Sequence, residues 1–214
     1  MKKIKQIVTI FAALALAVTA GLSFAGTKTK AAESDEFTRT AIEIAADMGY
    51  GWNLGNTMEA TNTWTSNPKV TDFETAWGQP VTTKAMIDGI KKAGFNSIRI
   101  PVSWSNMMSS DGNYTIDTSY FKRVDEIISY AFANDMYVII NDHYDGGWWE
   151  HFCGNKRDCM KHYKNMWTQV AEHYKDYSEK LIFESANEEL GDSLKKSLSK
   201  IDVNISDTAL YNLV

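Results

Sequence analysis

Leu181-Ile182-Phe183-Glu184-Ser185-Ala186-Asn187-Glu188-Glu189 decides how this chain is read. An apolar run of strand length ends abruptly in an amide and a carboxylate. A carboxylate at the exit of an apolar strand is poorly solvated, which raises its pKa toward the value a general acid needs. Three more apolar strands precede it, near Tyr50–Leu54, Ser97–Val102 and Tyr137–Asn141. Helical stretches alternate with them. Thr82–Ala93 places Met86, Ile87 and Ile90 on one face, with Thr82 or Thr83 as N-cap and Gly94 as the stop. Ser119–Asn134 and Asp158–Tyr177 repeat the helical spacing. In the second of these, His162 and His173 fall off the apolar stripe and are expected to be solvated.

Strand and helix alternating at this interval form the rhythm of a parallel α/β sheet. Polar and aromatic residues gather just after the strands: Asn56 and Glu59, Trp104, His143 to Trp149, then Asn187 and Glu188. That placement is how a (β/α)8 TIM barrel builds its active face. A doubly wound sheet would also fit the alternation, but no Gly-rich phosphate loop follows the first strand. Four strands are countable where a barrel needs eight, so about the first four βα units are expected. Residues 37–214 then read as the N-terminal half of a barrel domain, truncated after a helix start at Ser206.

Residues 1–25 read as an export signal. Lys2, Lys3 and Lys5 precede an apolar run from Ile7 to Leu22, and Ser23-Phe24-Ala25 offers a cleavage site; cleavage after Ala32 and an uncleaved anchor are the alternatives. Residues 26–36 are a polar linker. Losing the three lysines lowers the formal charge from −5 to −8. So acidic a chain argues against nucleic-acid or anionic-membrane partners and suits a neutral, hydroxyl-rich ligand. In an exported protein Cys153 and Cys159 can pair. A metal site joining them to His143, His151 and His162 is disfavoured, because Cys-x5-Cys-x2-His matches no standard zinc spacing. No metal and no cofactor is expected.

Met48-Gly-Tyr-Gly-Trp-Asn-Leu-Gly-Asn56, Ala76-Trp-Gly-Gln-Pro80, Ala93-Gly-Phe-Asn-Ser-Ile-Arg-Ile-Pro-Val-Ser-Trp104, Ile139-Ile-Asn-Asp-His-Tyr144 and Ile182-Phe-Glu-Ser-Ala-Asn-Glu188 resemble glycoside hydrolase family 5, above all its bacterial endoglucanases. Each motif is weak alone; five in register are specific. The resemblance implies a secreted, retaining endo-β-1,4-glucanase acting on cellulose and related glucans. It aligns Glu188 with the acid/base, Asn187 with the amide that binds the sugar 2-hydroxyl, Arg99 with the arginine that holds the nucleophile, and His143 with the histidine ending the third strand. Glu189 stands where the family usually has Pro, and Tyr144 where it often has His. A mannanase or xyloglucanase of the same fold, or a non-catalytic carbohydrate-binding protein, are the alternatives.

Retaining hydrolysis needs a second carboxylate, the nucleophile, about 5–5.5 Å from the first. In this family it lies on the seventh strand, so it is expected to be absent from this chain, leaving the 214 residues inactive or nearly so. The half barrel is expected to expose strand edges and to strand Arg99 without a counter-charge. From the residues alone, Arg99 sits between Ile98 and Ile100 and needs an anionic partner, with Glu184 and Glu188 both candidates. Glu184 shares strand parity with Glu188 and reads as a structural residue. Trp148 reads equally as a sugar platform or as rim packing, Trp104 as core, and Asn56 as a cleft residue or a cap.

Overall fold

The structure, a computed structural model, describes residues 39–152 and 154–187. The signal, the linker, Cys153 and Glu188 onward lie outside the described residues. So do the disulfide reading and the acid/base assignment.

Four parallel strands lie side by side in chain order: β1 (Gly51–Asn53), β2 (Ser97–Ile100), β3 (Tyr137–His143) and β4 (Leu181–Asn187). Among the described residues five α-helices accompany them: α1 (Ala41–Met48), α2 (Val70–Glu74), α3 (Lys84–Lys92), α4 (Thr118–Phe132) and α5 (Lys156–Tyr174). Short 3-10 turns follow β2 (Trp104–Met107) and β3 (Asp145–His151). Thr83, not Thr82, caps α3, accepting from the Met86 N–H. Two helices escaped the sequence reading. Helix α1 is announced by a capping box, in which Thr40 and Glu43 satisfy each other's backbone N–H. Helix α2 is too short to show a period.

Sheet parity separates the core from the site. On β2, Ile98 and Ile100 are fully buried with Val138 and Ile140 of β3, in one cluster with Ile87 of α3 and Val124, Ile127 and Ile128 of α4. Each such side chain stabilises the fold by roughly 1.5–3 kcal/mol. The opposite face carries Arg99, Asn141 and Glu184. Trp104 is core, as expected, and its indole N–H donates to the Asn141 carbonyl at 2.9 Å. The edge strands are less covered. Trp52 on β1 and Phe183 on β4 are both exposed.

A bulge alters the parity of β4. Asn141 faces Glu184 but His143 faces Asn187, so β4 spends one more residue than β3 over this stretch. The extra residue brings Asn187 to the face of Glu184. Strict alternation would have put Asn187 on the face opposite Glu184; the bulge shifts it by one face, while the parity expected between Glu184 and Glu188 lies outside the described residues.

Candidate active site

The site starts from Arg99, whose parity turns it away from the apolar core. Its Nε donates to Glu184 Oε2 at 2.6 Å and its Nη2 to Glu184 Oε1 at 2.7 Å. Nη2 also donates to Asn187 Oδ1 at 2.9 Å, and Nη1 to Asn53 Oδ1 at 3.0 Å. One guanidinium thus ties together β1, β2 and β4 at their C-terminal ends. The fork-on-carboxylate geometry fixes orientation as well as charge. The Arg99 guanidinium holds the Glu184 carboxyl below its ordinary value, and Asn141 reinforces the shift. The expectation that Arg99 lacks a counter-charge is overturned. Glu184 supplies it, because the two side chains share a face two registers apart.

Asn141 is fully buried beside this pair. Its Oδ1 accepts the Val102 N–H at 3.2 Å; its Nδ2 lies 3.2 Å from Glu184 Oε1 and 3.3 Å from His143 Nδ1. His143 is half-buried at the end of β3, and Tyr144 beyond it is exposed. The chain then passes through four residues of positive φ, Tyr144 (56°), Asp145 (50°), Gly146 (73°) and Gly147 (73°). Such backbone costs about 1–3 kcal/mol at each non-glycine position. Asp145 offsets the cost. Its buried carboxylate accepts from the Ser105 N–H (2.6 Å), the Ser105 hydroxyl (2.7 Å) and the Trp148 indole (2.7 Å). Burial pushes its pKa up, and these donors oppose that shift.

Trp148 stacks on Trp149 with centroids 4.0 Å apart and on His162 with centroids 4.1 Å apart; His162 in turn stacks on Tyr114. Two near-parallel partners at that spacing cover both faces of Trp148. The rim-packing reading therefore fits it, since a sugar needs an open aromatic face. His162 is the clearest departure from the sequence reading. It is buried in this stack, and burial lowers its pKa to about 4. His173 is likewise engaged, through Asp125 at 2.9 Å and the ring of Phe121. Helical spacing alone missed both, because their covers come from a loop and from a neighbouring helix.

At the end of β1 the chain turns at Asn56, which is exposed with φ 62°. Glu59 accepts the Asn56 N–H at 2.5 Å and the Thr57 N–H at 2.8 Å. Burial raises the Glu59 pKa, and the two backbone donors and Arg99 oppose it. The sequence placed Glu59 among the polar residues after the first strand without a role, and gave none to Asn53. Their signal was present in Asn53-Leu54-Gly55-Asn56: a Cβ on Gly55 would lie 2.9 Å from the Asn53 amide nitrogen, so glycine leaves room for the side chain that holds Arg99.

The profile described as cellulase (glycosyl hydrolase family 5) matches residues 58–209. Endoglucanase A of Clostridium longisporum is 48% identical over 151 residues, covering 70% of this chain and 29% of that protein. Endoglucanase A of Paenibacillus barcinonensis is 43% identical over 183 residues, covering 83% and 44%. Among solved structures, a broad-specificity endoglucanase from Ruminococcus champanellensis with bound cellotriose superposes with a TM-score of 0.67 at 42% identity. It shares 72% of this chain and 45% of its own, so the four βα units match part of its barrel. The chain spans less than half the length of these relatives.

Proposed function

Because the chain belongs to glycosyl hydrolase family 5, we propose that it forms the acid/base side of the cleft of a retaining endo-β-1,4-glucanase, with Glu188 as the acid/base. The observation that carries this reading is the grip of Arg99 on Asn187. With Oδ1 of Asn187 accepting from the guanidinium, the amide presents Nδ2 as a donor, the role needed to bind a sugar 2-hydroxyl. Glu188 follows directly in sequence. In this mechanism Glu188 first donates a proton to the leaving glycosidic oxygen. It then takes a proton from the water that attacks the glycosyl-enzyme. The reading assigns the nucleophile to a strand of the complete protein that this sequence does not include. Arg99, His143 and Tyr144 line or support the cleft, with Asn56 at the turn beside it.

The substrate we assign is a β-1,4-glucan, in keeping with the cellotriose bound to the Ruminococcus champanellensis relative. The test is Glu188→Gln in the complete protein. Turnover of cellotetraose should fall by at least about 10²-fold while binding persists. Undiminished turnover would remove Glu188 from the acid/base role. A panel of cellulose, xyloglucan and mannan locates the preferred polymer, and cleavage of mannan alone would overturn the glucan assignment. We further propose export with loss of residues 1–25. Edman sequencing of the mature protein should begin at Gly26, or at Glu33 for the downstream site.

A further inference from the structure

Asn141 is the one fully buried amide between the Arg99–Glu184 pair and His143. Its orientation is set by its partners. Oδ1 accepts the Val102 backbone N–H, and Nδ2 points at the Glu184 carboxylate. Turning the amide over would set Oδ1 against that carboxylate and the NH2 against the N–H, losing both bonds in a buried place. Glu184 cannot relent by taking a proton near neutrality, since the Arg99 guanidinium holds its carboxyl below the ordinary range. The amide is therefore a donor on the side that faces His143.

An NH2 group has two hydrogens and no acceptor. One serves Glu184; the other meets His143 Nδ1 at 3.3 Å. A ring nitrogen opposite a fixed donor must carry its lone pair, so the proton of the neutral imidazole resides on Nε2. A doubly protonated ring would set two N–H groups against each other. We propose that Asn141 is a positioning residue that locks His143 as a neutral imidazole with its proton on Nε2. His143 then meets its cleft partners as an Nε2–H donor. The chain of command runs from Arg99 through Glu184 and Asn141 to the histidine. The carboxylate that neutralises the guanidinium thus also decides which way a ring on the neighbouring strand gives its proton.

The relevance to turnover rests on the glucanase reading; the tautomer does not. The test is the long-range 1H–15N spectrum of the complete protein, with the His143 resonances identified by their disappearance in His143→Gln. At neutral pH the pair should show a pyridine-like Nδ1 and a pyrrole-like Nε2. A pyrrole-like Nδ1, or two equivalent imidazolium nitrogens, would overturn the proposal. Asn141→Asp keeps the acceptor for Val102 but replaces the donor by a second acceptor. It should move the His143 proton to Nδ1 or add a second one. Unchanged His143 nitrogen shifts in a folded Asn141→Asp protein would also overturn the lock, since a packing role would move stability alone. If that variant does not fold, the wild-type spectrum decides by itself. Absence of glucan hydrolysis in the wild type would count against the functional reading, leaving the spectrum to judge the lock.

Discussion

Two carboxylates in this fold hold an arginine by its fork, and neutralising each should have opposite consequences. Glu74 is fully buried and Arg123 nearly so, with 0% and 10% of their side chains exposed. Glu74 accepts Arg123 Nε at 2.9 Å, Arg123 Nη2 at 2.8 Å and the Thr82 N–H at 2.7 Å. Arg123 Nη2 also donates to the Thr82 carbonyl. Glu74→Gln leaves the buried guanidinium only the half-exposed Glu126 carboxylate, which Arg123 Nη1 also reaches, so we expect a cost of about 2–4 kcal/mol, below that of a fully unpaired buried charge. Glu184 and Arg99 are 32% and 23% exposed, so water screens the loss. We expect Glu184→Gln to cost about 1–2 kcal/mol, between the surface and the buried cases. Function should invert that order. Glu184→Gln releases the guanidinium that positions Asn187, and a displacement of about 1 Å at such a point costs about 10²-fold in turnover. Glu74 lies among α2, α4 and the loop before α3, away from the strand ends.

The assay is guanidinium denaturation of the complete protein together with hydrolysis of carboxymethylcellulose, normalised to folded protein. Glu74→Gln should unfold much earlier and hydrolyse normally per folded molecule. Glu184→Gln should unfold nearly as wild type and hydrolyse poorly. The reverse pattern, or full activity in Glu184→Gln, would refute the claim that this pair organises the site. The pH dependence follows from the sign of the shift. The folded Glu184 pKa is depressed from 4.5, so the pair's contribution is present above that value and is lost as pH falls through the lower folded one.

Gly55→Ala should push on the Asn53 amide that accepts from Arg99, lowering kcat/KM of the complete protein with little change in Tm; unaltered kinetics would show that the Asn53 contact is dispensable. Trp148→Ala should remove about 2–4 kcal/mol of stability by opening a stack covered on both sides, and Trp148→Phe should restore much of it. Loss of glucan affinity at unchanged stability would instead return Trp148 to the role of a sugar platform. His162 is held neutral with a pKa of about 4 against 6.5 when free. Its environment therefore favours folding fully above pH 6.5, and stability falls as pH drops from 6.5 toward 4. His162→Phe should flatten that part of the stability–pH curve, and an unchanged curve would mean the ring does not titrate on unfolding.

The strands were legible within a residue or two, because short apolar runs bounded by turn residues have few other uses in an α/β chain. Helices α3, α4 and α5 were legible from their stripes. Short α2 and the 3-10 turns were not, since too few residues repeat to define a period. Among site residues, Arg99, Asn187 and His143 could be named from strand ends and motif. Glu59 was named only as a polar residue after β1, and the roles of Asn53 and Asn141 were not legible, because nothing in a linear string says that Asn141 shares the Glu184 carboxylate of the neighbouring strand or that Asn53 accepts from Arg99.

The order of strands and helices, the family and the identity of the strand-end polar groups were therefore set by local pattern and motif, which depend only on neighbours in the chain. The partner of Arg99, the burial of His162 and the closure of both faces of Trp148 were decided by tertiary contacts between segments far apart in sequence. So was the face on which Asn187 stands. Parity along a strand is a local rule, but a bulge is defined only against the neighbouring strand, and one extra residue there turns Asn187 toward Arg99.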